Sequence, residues 1–182
     1  CKFCIINTFN STISYNTTFK QYVPRTRESI ISILEPLFDF RRGQNQYRPI
    51  LLKISPDLSD EDIDMMTDIM VDTPLDGIIA TNATTHPQGL NTPQEELRKV
   101  GSGAISGKPL TERAIEVVRR VHERCKGTYP IIGVGGLMTG DDVKRMMEAG
   151  ASLVALSSGL RENGFKLLKK AITQIATNNT KQ

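Results

Sequence analysis

From about residue 48 onward the chain alternates between short, wholly apolar runs and stretches whose apolar residues recur at helical spacing. Ile50-Leu51-Leu52-Lys53-Ile54 follows a proline and reads as a buried strand. Ser59-Asp60-Glu61-Asp62 then opens a helix: the serine can cap it, and the acidic residues suit the positive end of the helix dipole. Ile63, Met66 and Met70, widened by Met65 and Ile69, supply its inward stripe, so these methionines are packing residues. The cycle repeats with an apolar strand from Gly77 to Thr81, a helix over 111–125 carrying Ile115, Val118 and Val121, and a strand over 130–134. Thr139-Gly140-Asp141-Asp142 starts the next helix, which Gly150 ends in the position favoured for a left-handed cap. A strand over 152–156 precedes a last helix over 163–176, with Phe165, Leu168, Ile172 and Ile175 expected inward. Phe3-Cys4-Ile5-Ile6 reads as one further buried strand, which makes five strand–helix units.

Strands that are apolar throughout, separated by amphipathic helices, imply a parallel sheet covered by helices. Five such units suit either an open doubly wound sheet or most of a parallel (β/α)8 barrel. The loops favour the barrel, where function gathers at the C-terminal ends of the strands and phosphate binds after the last two. With 182 residues the chain is shorter than the roughly 250 of a complete barrel. It is therefore expected to hold the last five units of a single domain spanning 1–182, with the N-terminal strands absent.

Composition changes this picture little. A net charge of +3 is mild, and the paired basic residues Arg41-Arg42, Arg119-Arg120 and Lys169-Lys170 read as solvated helix faces without interleaved aromatics. Nucleic-acid binding is thereby disfavoured. Cys1 and Cys4 have C-x-x-C spacing, but with only Cys125, His86 and His122 as further soft ligands no metal site is expected. The odd cysteine count and the lack of a signal peptide point to a cytoplasmic protein. No apolar stretch approaches the roughly 18 residues of a membrane span.

The distinctive chemistry lies at strand ends. Gly133-Val134-Gly135-Gly136 and Ser157-Ser158-Gly159 follow consecutive strands. Glycines let backbone N–H groups approach an anion, and a serine hydroxyl adds a donor. One such loop would read as a tight turn; two in successive units point to phosphate. Lys53 interrupts an apolar strand, so it must snorkel or face a solvated site. Thr81-Asn82 puts a hydroxyl and an amide at the mouth, and an amide both donates and accepts, as a planar ligand with carbonyl and N–H groups requires.

Across 48–176, the blocks RPILLKISPDLSDED, DGIIATNAT, GAISGKPL, PIIGVGGLMTGDDV and AGASLVALSSG together resemble the quinone-linked class of dihydroorotate dehydrogenases. The resemblance implies an FMN-binding (β/α)8 barrel that oxidises dihydroorotate to orotate in de novo pyrimidine biosynthesis and passes electrons to a quinone. It also implies that Lys53 contacts FMN near its ring system, Thr81 contacts FMN, and Asn82 holds the substrate. Ser106 and Gly107 would line the flavin. Gly135, Gly136, Ser158 and Gly159 would bind its phosphate, with Ser157 at the preceding position. Peripheral contact with the inner face of the cell membrane would come through a helical extension not contained in this sequence.

The departures from the family cluster near the start, where 1–47 matches weakly. The family's N-x-S-x-P-N loop, whose serine is the catalytic base, corresponds to Asn7-Thr8-Phe9-Asn10-Ser11-Thr12. Asn7 fits the first substrate-binding asparagine. The serine position falls on Asn10, whose amide cannot act as a base. Ser11 supplies the hydroxyl if the loop is shifted by one residue. Ser157 stands where the family usually has tyrosine. Two alternatives to the dehydrogenase follow: a truncated, non-catalytic fragment of it, or another FMN-dependent barrel oxidoreductase.

Overall fold

A computed structural model describes residues 4–7, 26–86, 90–100 and 103–179. In chain order the elements are β1 (Cys4–Asn7), α1 (Arg27–Arg42), β2 (Ile50–Ile54), α2 (Asp60–Asp72), β3 (Gly77–Ala80) and α3 (Gln94–Val100). After a 3-10 turn at Lys108–Leu110 come α4 (Thr111–Arg124), β4 (Ile131–Gly133), α5 (Gly140–Glu148), β5 (Leu153–Val154), α6 (Ser158–Asn163) and α7 (Phe165–Asn179). All five strands pair in parallel in the sequential order β1-β2-β3-β4-β5. Consecutive parallel neighbours joined by helices are the repeating unit of a (β/α)8 barrel.

Alternation along each strand decides which residues meet the helices. Ile50, Leu52 and Ile54 of β2, Ile78 and Ala80 of β3 and Ile131 of β4 join one core with Ile63, Met66 and Met70 of α2 and Ile115, Val118 and Val121 of α4. The methionines are packing residues, as the helical spacing predicts. Ser59 caps α2 by accepting from the Asp62 N–H, and Thr139 caps α5 in a reciprocal capping box with Asp142. Outside the core, Asp60, Asp64 and Asp68 of α2 face Arg120 and Arg124 of α4, with contacts of 2.7 Å for Arg120–Asp64 and 2.6 Å for Arg124–Asp68. These pairs are partly solvated, so they add registry more than stability.

Four expectations need correction. In α7 the buried residues are Leu167 and Ala171, while Phe165, Leu168 and Ile172 are exposed and Ile175 is half-buried. The cause is close packing on α5, where a Cβ on Gly140 would lie 2.2 Å from Gln174 Oε1 and 3.2 Å from the Lys170 backbone, so the helix seats its small-residue face. The last helix is also divided, because Gly164 at φ +59° separates α6 from α7. Ile5 is 45% exposed, since β1 ends the sheet among the described residues and Ile5 pairs in register with Leu51. Arg41 is not solvated: its side chain is 10% exposed and packs on Phe38 and Tyr47. Helix α1 is an addition to the sequence reading, anchored by Ile30, Leu34 and Phe38 and capped by Thr26.

Candidate active site

The C-terminal ends of β2, β3 and β4 carry the polar residues singled out from the sequence. Lys53 is half-buried and, by strand alternation, lies on the face opposite Leu52 and Ile54. Its Cα pairs with Asn7 on one side and Ile79 on the other, which sets the expected substrate residue of β1 in register with the expected flavin contact of β2. Beyond β3, the Asn82 N–H donates to the Ile54 carbonyl at 2.9 Å and the Thr81 N–H to the Val134 carbonyl at 2.6 Å. Thr81 is buried, and the Asn82 side-chain oxygen accepts from the Ala83 N–H at 3.0 Å. Three strand ends are thus laced together around Lys53, Thr81 and Asn82.

A second cluster, the expected phosphate cradle, gathers the glycine and serine loops. Gly136 adopts φ +64°, and a Cβ there would lie 2.2 Å from the Gly107 carbonyl and 2.8 Å from the Thr111 nitrogen. A Cβ on Gly159 would lie 1.9 Å from the Leu137 carbonyl. The loop after β4, the Ser106-Gly107 loop and the start of α6 therefore close on one another with no room for side chains at either glycine. Ser106 Oγ and Ser158 Oγ are 2.8 Å apart, and the Thr111 hydroxyl donates to the Gly136 carbonyl at 2.6 Å. The first-turn N–H groups of α6, at Ser158, Gly159 and Leu160, have no acceptor within their own helix. Ser157 is the exposed N-cap residue and makes no side-chain capping bond.

Behind the cradle, Asp142 is 3% exposed and its Oδ2 accepts from the N–H groups of Met138 and Thr139 at 3.0 and 2.9 Å. Lys108 Nζ lies 3.3 Å from its Oδ1. Burial pushes this carboxyl up, but the hydrogen bonds from Met138 and Thr139, with the Lys108 charge, hold it below the ordinary aspartate range. Sequence reasoning missed Asp142, Thr111 and Asp57 as parts of the site's frame. All three lie inside or next to the distinctive blocks, and only their partners in space reveal them.

Ser11, proposed as the base, and its neighbours Asn10 and Thr12 lie outside the described residues, as does Cys1. Among the described residues no group of His, Cys, Asp and Glu side chains could hold a metal, and no helix is long and apolar enough to cross a membrane.

Fold and site together define a parallel β/α barrel protein with close-packed glycine and serine loops after β4 and β5 and polar groups at the mouth. A sequence profile of the dihydroorotate dehydrogenase family matches residues 8–178, and the chain belongs to that family. It is 38% identical over 167 residues to a dihydroorotate dehydrogenase (quinone) of Christiangramia forsetii, covering 92% of this chain and 48% of that one. To the enzyme of the same name from Kineococcus radiotolerans it is 37% identical over 138 residues, 76% of this chain and 38% of the other. The crystal structure of ligand-free type DHODH from Eimeria tenella superimposes with a TM-score of 0.78 at 24% identity, over 93% of this chain and 49% of that chain. The chain thus spans about half or less of the length of these relatives.

Proposed function

We propose that these 182 residues belong to a single-domain, FMN-dependent dihydroorotate dehydrogenase that oxidises dihydroorotate to orotate with a quinone as electron acceptor. The carrying observation is the meeting of the Ser106-Gly107 loop, the loop after β4 and the start of α6, where Ser106 Oγ lies 2.8 Å from Ser158 Oγ and the backbone packs too closely at Gly136 and Gly159 for any Cβ. Backbone N–H groups and two hydroxyls are the donor set that a phosphate monoester requires. The residues present fit FMN: its phosphate on the cradle, its ring near Lys53 and Thr81, and the pyrimidine substrate on Asn82 and Asn7. When bound, FMN supplies hydride acceptance from the substrate and onward delivery of two electrons to quinone. The Lys53 ammonium stabilises negative charge on the ring, and Asn82 orients the substrate by donating and accepting at once. A quinone acceptor requires access to a quinone-bearing membrane, and the placement we propose is a cytoplasmic protein peripheral to the inner face of the cell membrane.

One observation favours a second reading, a flavin-binding chain without turnover: Asn10 occupies the position of the family's serine base. An absorbance spectrum decides first between flavin and none. Purified full-length material from the same gene is expected to show bands at about 370 and about 450 nm that follow the protein through gel filtration. A colourless protein that takes up no added FMN overturns both readings. If flavin is bound, an unchanged rate of flavin reduction in Ser11→Ala removes Ser11 as the base.

A further inference from the structure

The loop that carries Asn82 leaves β3, and among the described residues its strand pairing is an isolated antiparallel bridge between Thr84 and Ile105. Its anchor comes from the preceding unit. Asp57 lies three residues beyond the end of β2, and its side chain is 12% exposed. The carboxylate accepts from the Thr84 hydroxyl, from the Thr85 N–H at 2.7 Å and from the Thr85 hydroxyl at 2.7 Å. The His86 N–H in turn donates to the Thr84 oxygen at 3.0 Å.

Asp57 is itself aimed from a third unit. Arg113 of α4 donates from Nε to the Pro56 carbonyl at 3.0 Å and from Nη2 to the Leu58 carbonyl at 2.9 Å, gripping the peptide on both sides of Asp57. The Asp57 N–H donates to Ser55 Oγ at 3.1 Å. From Thr84 the connection continues to the cradle. The Thr84 N–H donates to the Ile105 carbonyl at 3.0 Å, and the Ile105 N–H returns to Thr84 at 2.7 Å. Ile105 directly precedes Ser106, whose hydroxyl meets Ser158.

We propose that Asp57 is a positioning residue for the reaction: acting through Thr84 and Thr85, it fixes the Asn82 loop for the substrate and, through Ile105, the Ser106-Gly107 side of the flavin cradle. The inference rests on the reading of the site given above. Its physical basis is that one mostly buried carboxylate satisfies three side-chain and backbone donors of Thr84 and Thr85, adding to the backbone bonds at Asn82 and Thr84 the side-chain anchor that fixes the loop's position over β2. Burial works to raise the pKa of that group, and the hydrogen bonds from Thr84, Thr85 and His86 outweigh it, so the carboxylate stays ionised and accepting.

The test compares full-length wild type with Asp57→Ala, Asp57→Asn and, as a control, Asp68→Asn, which loses an ion pair on the outer helices. Two readouts are taken: steady-state KM and kcat for dihydroorotate, and amide hydrogen exchange over 82–86 and 104–107. Asp57→Ala is expected to exchange faster in both segments. Its kcat/KM falls on the order of ten- to a hundred-fold, with KM moving more than kcat, since misplacement by about 1 Å has effects of up to that size. Asp57→Asn keeps one acceptor oxygen and recovers part of the loss, and Asp68→Asn leaves KM unchanged. If Asp57→Ala does not fold, the same comparison is made on Asp57→Asn alone. Unchanged exchange overturns the proposal, and so does faster exchange with an unchanged KM, which marks a purely structural clasp. If wild type neither binds FMN nor oxidises dihydroorotate, the reading of the site fails separately. The exchange of 82–86 and 104–107 then still decides whether Asp57 holds the two loops together.

Discussion

Ser106 and Ser158 stand 52 positions apart in the chain, and their hydroxyl oxygens lie 2.8 Å from each other. Each hydroxyl carries one proton, so the pair can spend only one on its mutual bond and keeps the other for a ligand. The contact exists because the loops around it approach closely at Gly136 and Gly159, where a side chain would collide with backbone. The cradle is therefore a property of loop packing, and the serines are carried into place by the glycines.

Gly136→Ala is expected to empty the cradle. The new Cβ would lie 2.2 Å from the Gly107 carbonyl and 2.8 Å from the Thr111 nitrogen, and backbone can relieve this only by moving the loop. The cost is about 1–3 kcal/mol of stability, with a fall in flavin content measured as the ratio of absorbance at about 450 nm to protein. Gly127→Ala is the matched control. Gly127 has a similar φ of +68°, and its Cβ would meet the His122 ring at 2.9 Å, between α4 and β4 and away from the cradle. It should lose stability and keep its flavin. Equal flavin loss in both variants would show that the cradle has no special dependence on Gly136.

Much of this frame was legible in the sequence, for stated reasons. Strand β2 and helix α2 follow from an apolar run, a capping serine and methionines at helical spacing, all local signals. The close-packed glycine loops were legible because two loops of one kind follow successive strands. Helix α1 was not, because Ile33, Leu37 and Phe40 interleave with the buried Ile30, Leu34 and Phe38 and blur the stripe, and Pro36 sits inside the helix. In α7 two apolar stripes compete, and the smaller one wins because α5 presents Gly140 to it. Asp57 reads in sequence as one more acid in a polar loop. Its donors come 27 and 28 residues later, a pairing that no local pattern encodes.

Acid should weaken the cradle through Asp142. Its carboxyl is held below the ordinary value despite burial, by hydrogen bonds from Met138 and Thr139 and by Lys108. A depressed folded-state pKa means that the stabilisation is fully present above the unfolded value of about 3.9 and is lost as pH falls through the folded one. Urea titrations at neutral and acidic pH are expected to show this loss in wild type. In Asp142→Asn stability at neutral pH is lower and the acid dependence shallower. Some slope remains, because Asp57, Asp68 and Glu112 are also held low. An identical pH slope in the two proteins would sink the assignment.

At the opposite end of the sheet a half-buried carboxylate gives the complementary prediction. Asp76 accepts from the Ile50 N–H at 2.7 Å, from Arg41 Nη1 at 2.6 Å and from the Tyr47 hydroxyl. Arg41 also donates to the Pro74 carbonyl at 2.6 Å and lies 4.9 Å from the Tyr47 ring centre. The group clasps the end of α1 to the entries of β2 and β3, away from the strand ends that carry Lys53, Thr81 and Asn82. Asp76→Ala leaves a mostly buried guanidinium short of its counter-charge, at a cost of about 2–4 kcal/mol by chemical denaturation. Tyr47→Phe removes only the hydroxyl and should cost about 0.5–1.5 kcal/mol. Because strands transmit register but not loop geometry, flavin content and KM should stay within about twofold of wild type in both variants, measured below their melting temperatures. A KM rise in Tyr47→Phe as large as that expected for Asp57→Ala would mean that the two ends of the sheet are coupled, and that stability and site geometry cannot be assigned to separate faces of this barrel.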